Sequence, residues 1–222
     1  MKKVLLLLAT CSVLNAQVPN LLKDINTGTG STKFGAFVLL PNNDILFSAI
    51  TPSSSSAGVW VSDGSTAGTN MLKPYAGYEF TPFLSKQYYG VKNCSGFALW
   101  RSDGTLNGTD SLLTPGIHSA SNLIPVNNTL LFVGTTSANS FQLWRSDGTT
   151  AGTYSLTAPS SSIKTYSIVN NLLIFSLTNT LTGTEMWRSD GTINGTYILK
   201  DIMSGAGSSL GFNPVRITNN NM

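Results

Sequence analysis

Beyond the first sixteen residues, apolar side chains come in short runs cut by polar turns, and no stretch keeps a 3.6-residue period. One stretch shows the pattern clearly. Asn122 to Val126, Leu130 to Gly134, Phe141 to Arg145 and Thr153 to Leu156 read as four strands in succession. Asn127-Asn128 and Asp147-Gly148 stand where hairpin turns are needed. Glycine reaches positive φ without steric cost, and an Asp carboxylate can accept hydrogen bonds from nearby backbone N–H groups. The next stretch repeats the order with Tyr166 to Val169, Leu172 to Leu177, Thr184 to Arg188 and Thr196 to Ile202. The stretch before is more degenerate, and its second strand is drawn from Tyr88 to Lys92.

The pattern is an internal repeat. Trp60-Val61-Ser62-Asp63-Gly64, Trp100-Arg101-Ser102-Asp103-Gly104, Trp144-Arg145-Ser146-Asp147-Gly148 and Trp187-Arg188-Ser189-Asp190-Gly191 align, and each continues to a Gly-Thr pair. The tryptophans are 40, 44 and 43 residues apart, and all four in the chain occupy this one position. Leu22-Lys23-Asp24-Ile25 returns as Leu199-Lys200-Asp201-Ile202, 177 residues later, which keeps the same period. A period of about 40–50 residues built from four strands is the mark of a β-propeller. The expected fold is therefore all-β: a propeller-like array of about four four-stranded antiparallel blades, forming an incomplete ring.

These residues resemble the bacterial ELWxxDGT repeat family. The motif stands here as Gln142-Leu143-Trp144-Arg145-Ser146-Asp147-Gly148-Thr149, and as Glu185-Met186-Trp187 in the fourth copy. Leu199-Lys200-Asp201-Ile202 looks like that family's linking strand. The first copy departs most, with Gly58-Val59-Trp60-Val61 in place of the acidic and basic neighbours of Trp. The resemblance covers essentially everything after residue 16. It implies an exported β-propeller with surface or adhesive roles rather than catalysis. The motif is also similar to the Asp-box of sialidase propellers, a likeness of turns that transfers no chemistry.

At the N-terminus, Met1-Lys2-Lys3 is basic, Val4 to Ala9 is apolar, and Leu14-Asn15-Ala16 ends on a small residue. This is the layout of a secretory signal peptide. The apolar run is far shorter than the roughly 18 residues a membrane span needs. The expected organisation is a signal peptide over residues 1–16 and one repeat domain over residues 17–222, with four repeats and a truncated fifth. Cleavage near Ala16 would place the protein in the secreted fraction or on the outer cell surface. Leu210 to Thr218 reads as the first strand of the fifth unit, and Leu21 to Ile25 as a fourth strand able to complete a closing blade. A fragment of a longer propeller is expected, with a closed four-blade array as the alternative.

Composition fits this picture. Charged residues make up 10% of the chain and hydrophobic residues 41%, a balance that argues against disorder. Without residues 1–16 there remain 11 Lys and Arg against 10 Asp and Glu, so no basic surface suggests nucleic acid. Cys94 alone remains of the two cysteines, so no disulfide within the chain is expected.

Candidate chemistry is sparse. Calcium takes six to eight oxygens, and each Asp-Gly turn offers one carboxylate, so Asp63, Asp103, Asp147 and Asp190 are read as turn residues. A once-per-blade Trp is read as packing between blades. Arg101, Arg145 and Arg188 follow Trp directly and must point to the other face of the strand, to pair with Asp, meet solvent or bind an anion. His118 is the only histidine, lies in Pro115-Gly116-Ile117-His118-Ser119, and is expected to face solvent. No catalytic, cofactor-binding or metal-binding residue is assigned, and no cofactor is expected. The expected function is a non-catalytic interaction module whose partner is a polysaccharide or a protein. Its variable loops, such as Thr51 to Gly58 and Asn179 to Gly183, are where recognition belongs. The alternatives are part of a propeller glycosidase or lyase with catalytic residues elsewhere, or a structural spacer.

Overall fold

A computed structural model describes residues 21–25, 30–50, 58–92, 96–136, 138 and 140–208. The expected signal peptide, the start of the fifth unit, Cys94 and most of the Thr51 to Gly58 loop lie outside the described residues. The described chain is all-β and forms four separate antiparallel sheets of four strands each. The first holds β1 (Lys33–Leu39), β2 (Ile45–Ile50), β3 (Gly58–Ser62) and β4 (Asn70–Lys73). The second holds β5 (Thr81–Phe83), β6 (Lys86–Gly90), β7 (Leu99–Ser102) and β8 (Asp110–Leu112). The third holds β9 (Ser119–Val126), β10 (Thr129–Thr135), β11 (Phe141–Ser146) and β12 (Tyr154–Ser155). The fourth holds β13 (Ser162–Val169), β14 (Leu172–Asn179), β15 (Gly183–Ser189) and β16 (Tyr197–Ile198). Within each sheet the spatial order follows the chain, so every sheet is a simple meander and one repeat makes one blade.

The turns form where the polar pairs stand. Asn127 (φ 53°), Asn170 (φ 50°) and Asn171 (φ 61°) take left-handed backbone between the first and second strands. Asn tolerates that region better than most residues. In the second blade the same turn falls on Leu84 and Ser85, also at positive φ, and β6 starts two residues before the expected Tyr88. The fourth strands are shorter than expected. β12 and β16 hold two residues each. Leu21 to Ile25 is no strand, and neither is its sequence twin Leu199 to Ile202. Both are connectors. At the N-terminal one, Leu22 accepts a hydrogen bond at its carbonyl from Thr66 Oγ1 at 2.6 Å, and Lys23 Nζ donates to the Thr69 carbonyl. This tethers the segment to the turn of the first sheet rather than adding it to a blade.

Strand alternation gives each sheet two faces. One, the leading face, carries the Trp with an aromatic directly across on the second strand: Phe47 opposite Trp60, Tyr89 opposite Trp100, Phe132 opposite Trp144 and Phe175 opposite Trp187. Their ring centroids are 6.1–6.4 Å apart. The other, trailing face carries mainly aliphatic residues, with Tyr88 in the second sheet, and the Arg of the last three sheets. Sheets stack leading face against trailing face. Tyr89 and Trp100 pack on Leu46, Val59 and Val61 of the first sheet. Phe132 and Trp144 pack on Tyr88 and Leu99 of the second. Phe175 and Trp187 pack on Leu131 and Leu143 of the third. The aromatic faces of the second, third and fourth blades thus pack against the blade before.

Candidate interaction surfaces

The Asp-Gly turn consumes its own polar groups. In the third copy, Asp147 Oδ1 accepts from Thr149 N at 2.9 Å and from Thr149 Oγ1 at 2.7 Å. Gly152 N donates to Thr149 Oγ1 at 2.9 Å. Behind it, Gly148 N donates to Ser146 Oγ at 3.0 Å, and Thr153 Oγ1 donates to the Thr149 carbonyl at 2.6 Å. Thr153 has one hydroxyl proton, so the 2.7 Å contact between Ser146 and Thr153 must use the Ser146 proton. The other three copies repeat every one of these bonds.

The two glycines of the motif have different reasons. Gly148 sits at φ 90°, which a side chain would strain. A Cβ on Gly152 would lie 2.0 Å from Asp147 Oδ1, so the second glycine leaves room for the carboxylate. The Thr149 hydroxyl, and next its backbone N–H, hold the Asp147 carboxyl below its ordinary pKa. Asp63 and Asp190 are lowered by the equivalent bonds. For Asp103 the largest single influence, burial, pushes upward. The Thr105 bonds and Lys86, 3.4 Å away, together outweigh it. The carboxylates therefore serve the turn, as the sequence suggested.

The arginines do more than pair locally. Arg101 grips Asp110 with Nε to Oδ1 at 2.7 Å and Nη2 to Oδ2 at 3.0 Å, while Nη1 reaches the Gly148 carbonyl in the next blade at 2.5 Å. The hydrogen bond from Arg101, opposed by partial burial, leaves the Asp110 carboxyl below its ordinary pKa. Arg145 Nη1 reaches the Gly191 carbonyl of the following blade at 3.1 Å, and its guanidinium lies 5.3 Å from the Tyr154 ring centre. Arg188 lies 4.9 Å from the Tyr197 ring centre. Asp110, Tyr154 and Tyr197 are the cross-strand partners of the three arginines, nine residues downstream of each. That constant offset was the available signal for this pairing. The reach into the next blade had none.

Two concave surfaces stand out. One cleft of about 210 Å³ lies where the second and third sheets meet, lined by Tyr78, Glu79, Lys92 and Asn122 over a floor of Gly90 and Ala120. Lys92 Nζ sits 4.5 Å from the Tyr78 ring centre. Gly90 is the residue that lets the sheets close here, since a Cβ would lie 1.9 Å from the Ala120 carbonyl oxygen. The other cavity, about 310 Å³, lies on the leading face of the first sheet beside Phe34, Phe37 and Phe47. Neither was singled out by sequence reasoning, because each depends on residues brought together from separate strands.

The remaining candidates are placed as follows. His118 is half-buried rather than exposed, with its backbone N–H on the Thr135 carbonyl at 2.7 Å. In the Asn179 to Gly183 loop, Asn179 Oδ1 accepts from the backbone N–H groups of Leu181 and Thr182, both at 2.8 Å, and the Leu181 side chain projects outward. Among the described residues no three of His, Cys, Asp and Glu gather in one place, and no helix is long and apolar enough to cross a membrane. Compared with known proteins, the chain matches no family model and no curated protein sequence.

Proposed function

We propose that this chain is an exported, non-catalytic interaction module that binds a polysaccharide or a protein at the cell surface through side chains between its blades. The observation that carries the reading is how the repeat uses its polar groups. Every constant Asp, Ser and Thr of the motif is bonded inside its own turn, and Arg101 and Arg145 bind the next blade. The groups left to meet a partner are the ones that vary between copies. The cleft beside Tyr78 gathers an aromatic ring, a cation and an acid in one concavity. This is the mixture that takes a sugar ring or a peptide strand.

The test is a glycan and peptide array on the exported protein, run beside a hydrolysis screen. Binding without turnover, lost in Tyr78→Ala and Lys92→Ala, is the expected result. Turnover of a bound glycan would replace this reading with a glycosidase or lyase. No binding on either array would leave a structural spacer.

A further inference from the structure

The second sheet differs from the other three along its first strand. β1, β9 and β13 each break register once and then pair again with the second strand of their sheet. Beyond the break, Lys33 lies opposite Ile50, Ser121 and Ser119 lie opposite Val133 and Thr135, and Lys164 and Ser162 lie opposite Ser176 and Thr178. β5 holds three residues, and its pairing stops at Thr81 opposite Tyr88. β6 runs on past that point and stays bonded to β7: Gly90 lies opposite Leu99, and Val91 N donates to the Ala98 carbonyl at 2.9 Å. Residues 77–80, which precede β5, form no strand. The Gly77 carbonyl accepts instead from Ser48 Oγ of the first sheet at 2.5 Å. Among the described residues no backbone hydrogen bond joins residues 77–80 to Gly90 or Lys92.

Alternation along β6 fixes which groups this leaves open. Val91 turns its N–H to β7, so Gly90 and Lys92 turn theirs to the other side, where a first strand would lie. The matching Thr135 of the third sheet is met there, its carbonyl accepting from His118 N at 2.7 Å. The Tyr78 cleft opens at this gap, and Gly90 and Lys92 line it together with Tyr78 and Glu79. Gly90 has no side chain to cover its backbone. A polar backbone group on a cleft floor without a partner costs free energy that a bound amide would recover. One face of the Tyr78 ring, the kind of surface on which a sugar stacks, is taken by Lys92 Nζ at 4.5 Å from the ring centre. Together these features favour a backbone partner over a sugar ring.

We propose that the cleft takes an extended peptide segment, which adds as a short strand to the open edge of β6 and bonds Gly90 and Lys92 through its own backbone. A strand edge with open N–H and C=O groups is a template for such pairing. Gly90 and Lys92 are two residues apart, about 7 Å along a strand, and so match alternate residues of the peptide. Glu79 and Lys92 place one charge of each sign beside the edge, which suits a segment carrying both a basic and an acidic side chain. The inference rests on the reading that this cleft binds a partner, and it narrows that partner to a peptide.

The experiment is a peptide array on the full exported chain, with a glycan array beside it, followed by synthetic copies of the bound peptide N-methylated at one residue at a time. Methylation removes a backbone N–H and keeps the side chain. Binding is expected to fall about tenfold for methylation at the alternate residues that face β6, and to hold for methylation at the residues between them. Lys92→Pro, which removes an N–H from the edge, should weaken binding more than Lys92→Ala, which removes the ammonium alone. Far-UV circular dichroism checks that both variants are folded. Peptide binding indifferent to N-methylation at every position overturns strand addition and leaves the cleft as a side-chain site. Binding on the glycan array alone, lost in Tyr78→Ala, overturns the peptide assignment while the cleft stands as a binding site. No binding on either array overturns both.

Discussion

The first and third sheets carry the same hairpin and the same Trp, yet they end in different surroundings. Trp144 is sealed by the sheet before it, in one cluster with Phe83, Tyr88 and Ile117. Trp60 is covered by its own neighbours Phe47 and Met71 and by Ile25 of the N-terminal connector, with exposed Phe37 and Phe34 at its rim. The turn hydrogen bonds are the same in both. Local order is therefore a property of the repeat, while burial is a property of the neighbour. This is the logic of repeat architectures, in which each unit is stabilised by the interfaces it makes.

The largest test of that contrast is the Trp itself. Trp144→Ala is expected to destabilise by about 3–5 kcal/mol, as large-to-small changes in sealed cores do. Trp60→Ala should cost less, because a cavity covered by a connector rather than by a whole sheet can collapse or admit water. Urea unfolding of both variants decides, and equal losses would break the comparison. Next comes Gly152→Ala. The added Cβ would displace the Asp147 carboxylate, and a loss of about 1–3 kcal/mol is expected from the broken turn.

Asp147→Ala removes the same acceptor without a clash and should cost about 1 kcal/mol, as lost caps do. The same turns set an acid limit. Their carboxyl pKa values are lowered by folding, so the stabilisation is complete above the unfolded Asp value of about 3.9 and is lost as pH falls through the lower folded value. Thermal melts across that window should show the wild type losing stability where Asp147→Ala loses less. The smallest effect is expected at Phe37→Ser, within about 0.5 kcal/mol, since an exposed side chain has little burial to lose. A large loss there would mean that the first sheet is covered like the third.

The strand positions were readable because the turns that bound them are local. Asn127 and Gly148 adopt the positive φ their sequence invites, and the strands between them follow. Leu21 to Ile25 shows where such reading fails. Its apolar alternation suits a strand, but this segment instead bonds the turn of the first sheet. The Tyr78 cleft was hidden for another reason. Tyr78 and Lys92 flank the second sheet while Asn122 belongs to β9, and no spacing rule relates them.

By itself the sequence determined the repeat, the four-strand meander and the role of each Asp-Gly turn. All of these rest on contacts within some ten residues or on a period that can be counted. Which face of a blade meets its neighbour, and where Arg101 and Arg145 reach into the next blade, were decided by the stacking of sheets. Alternation assigns a side chain to one of two faces, and only the arrival of another sheet, from a full period away, tells the faces apart.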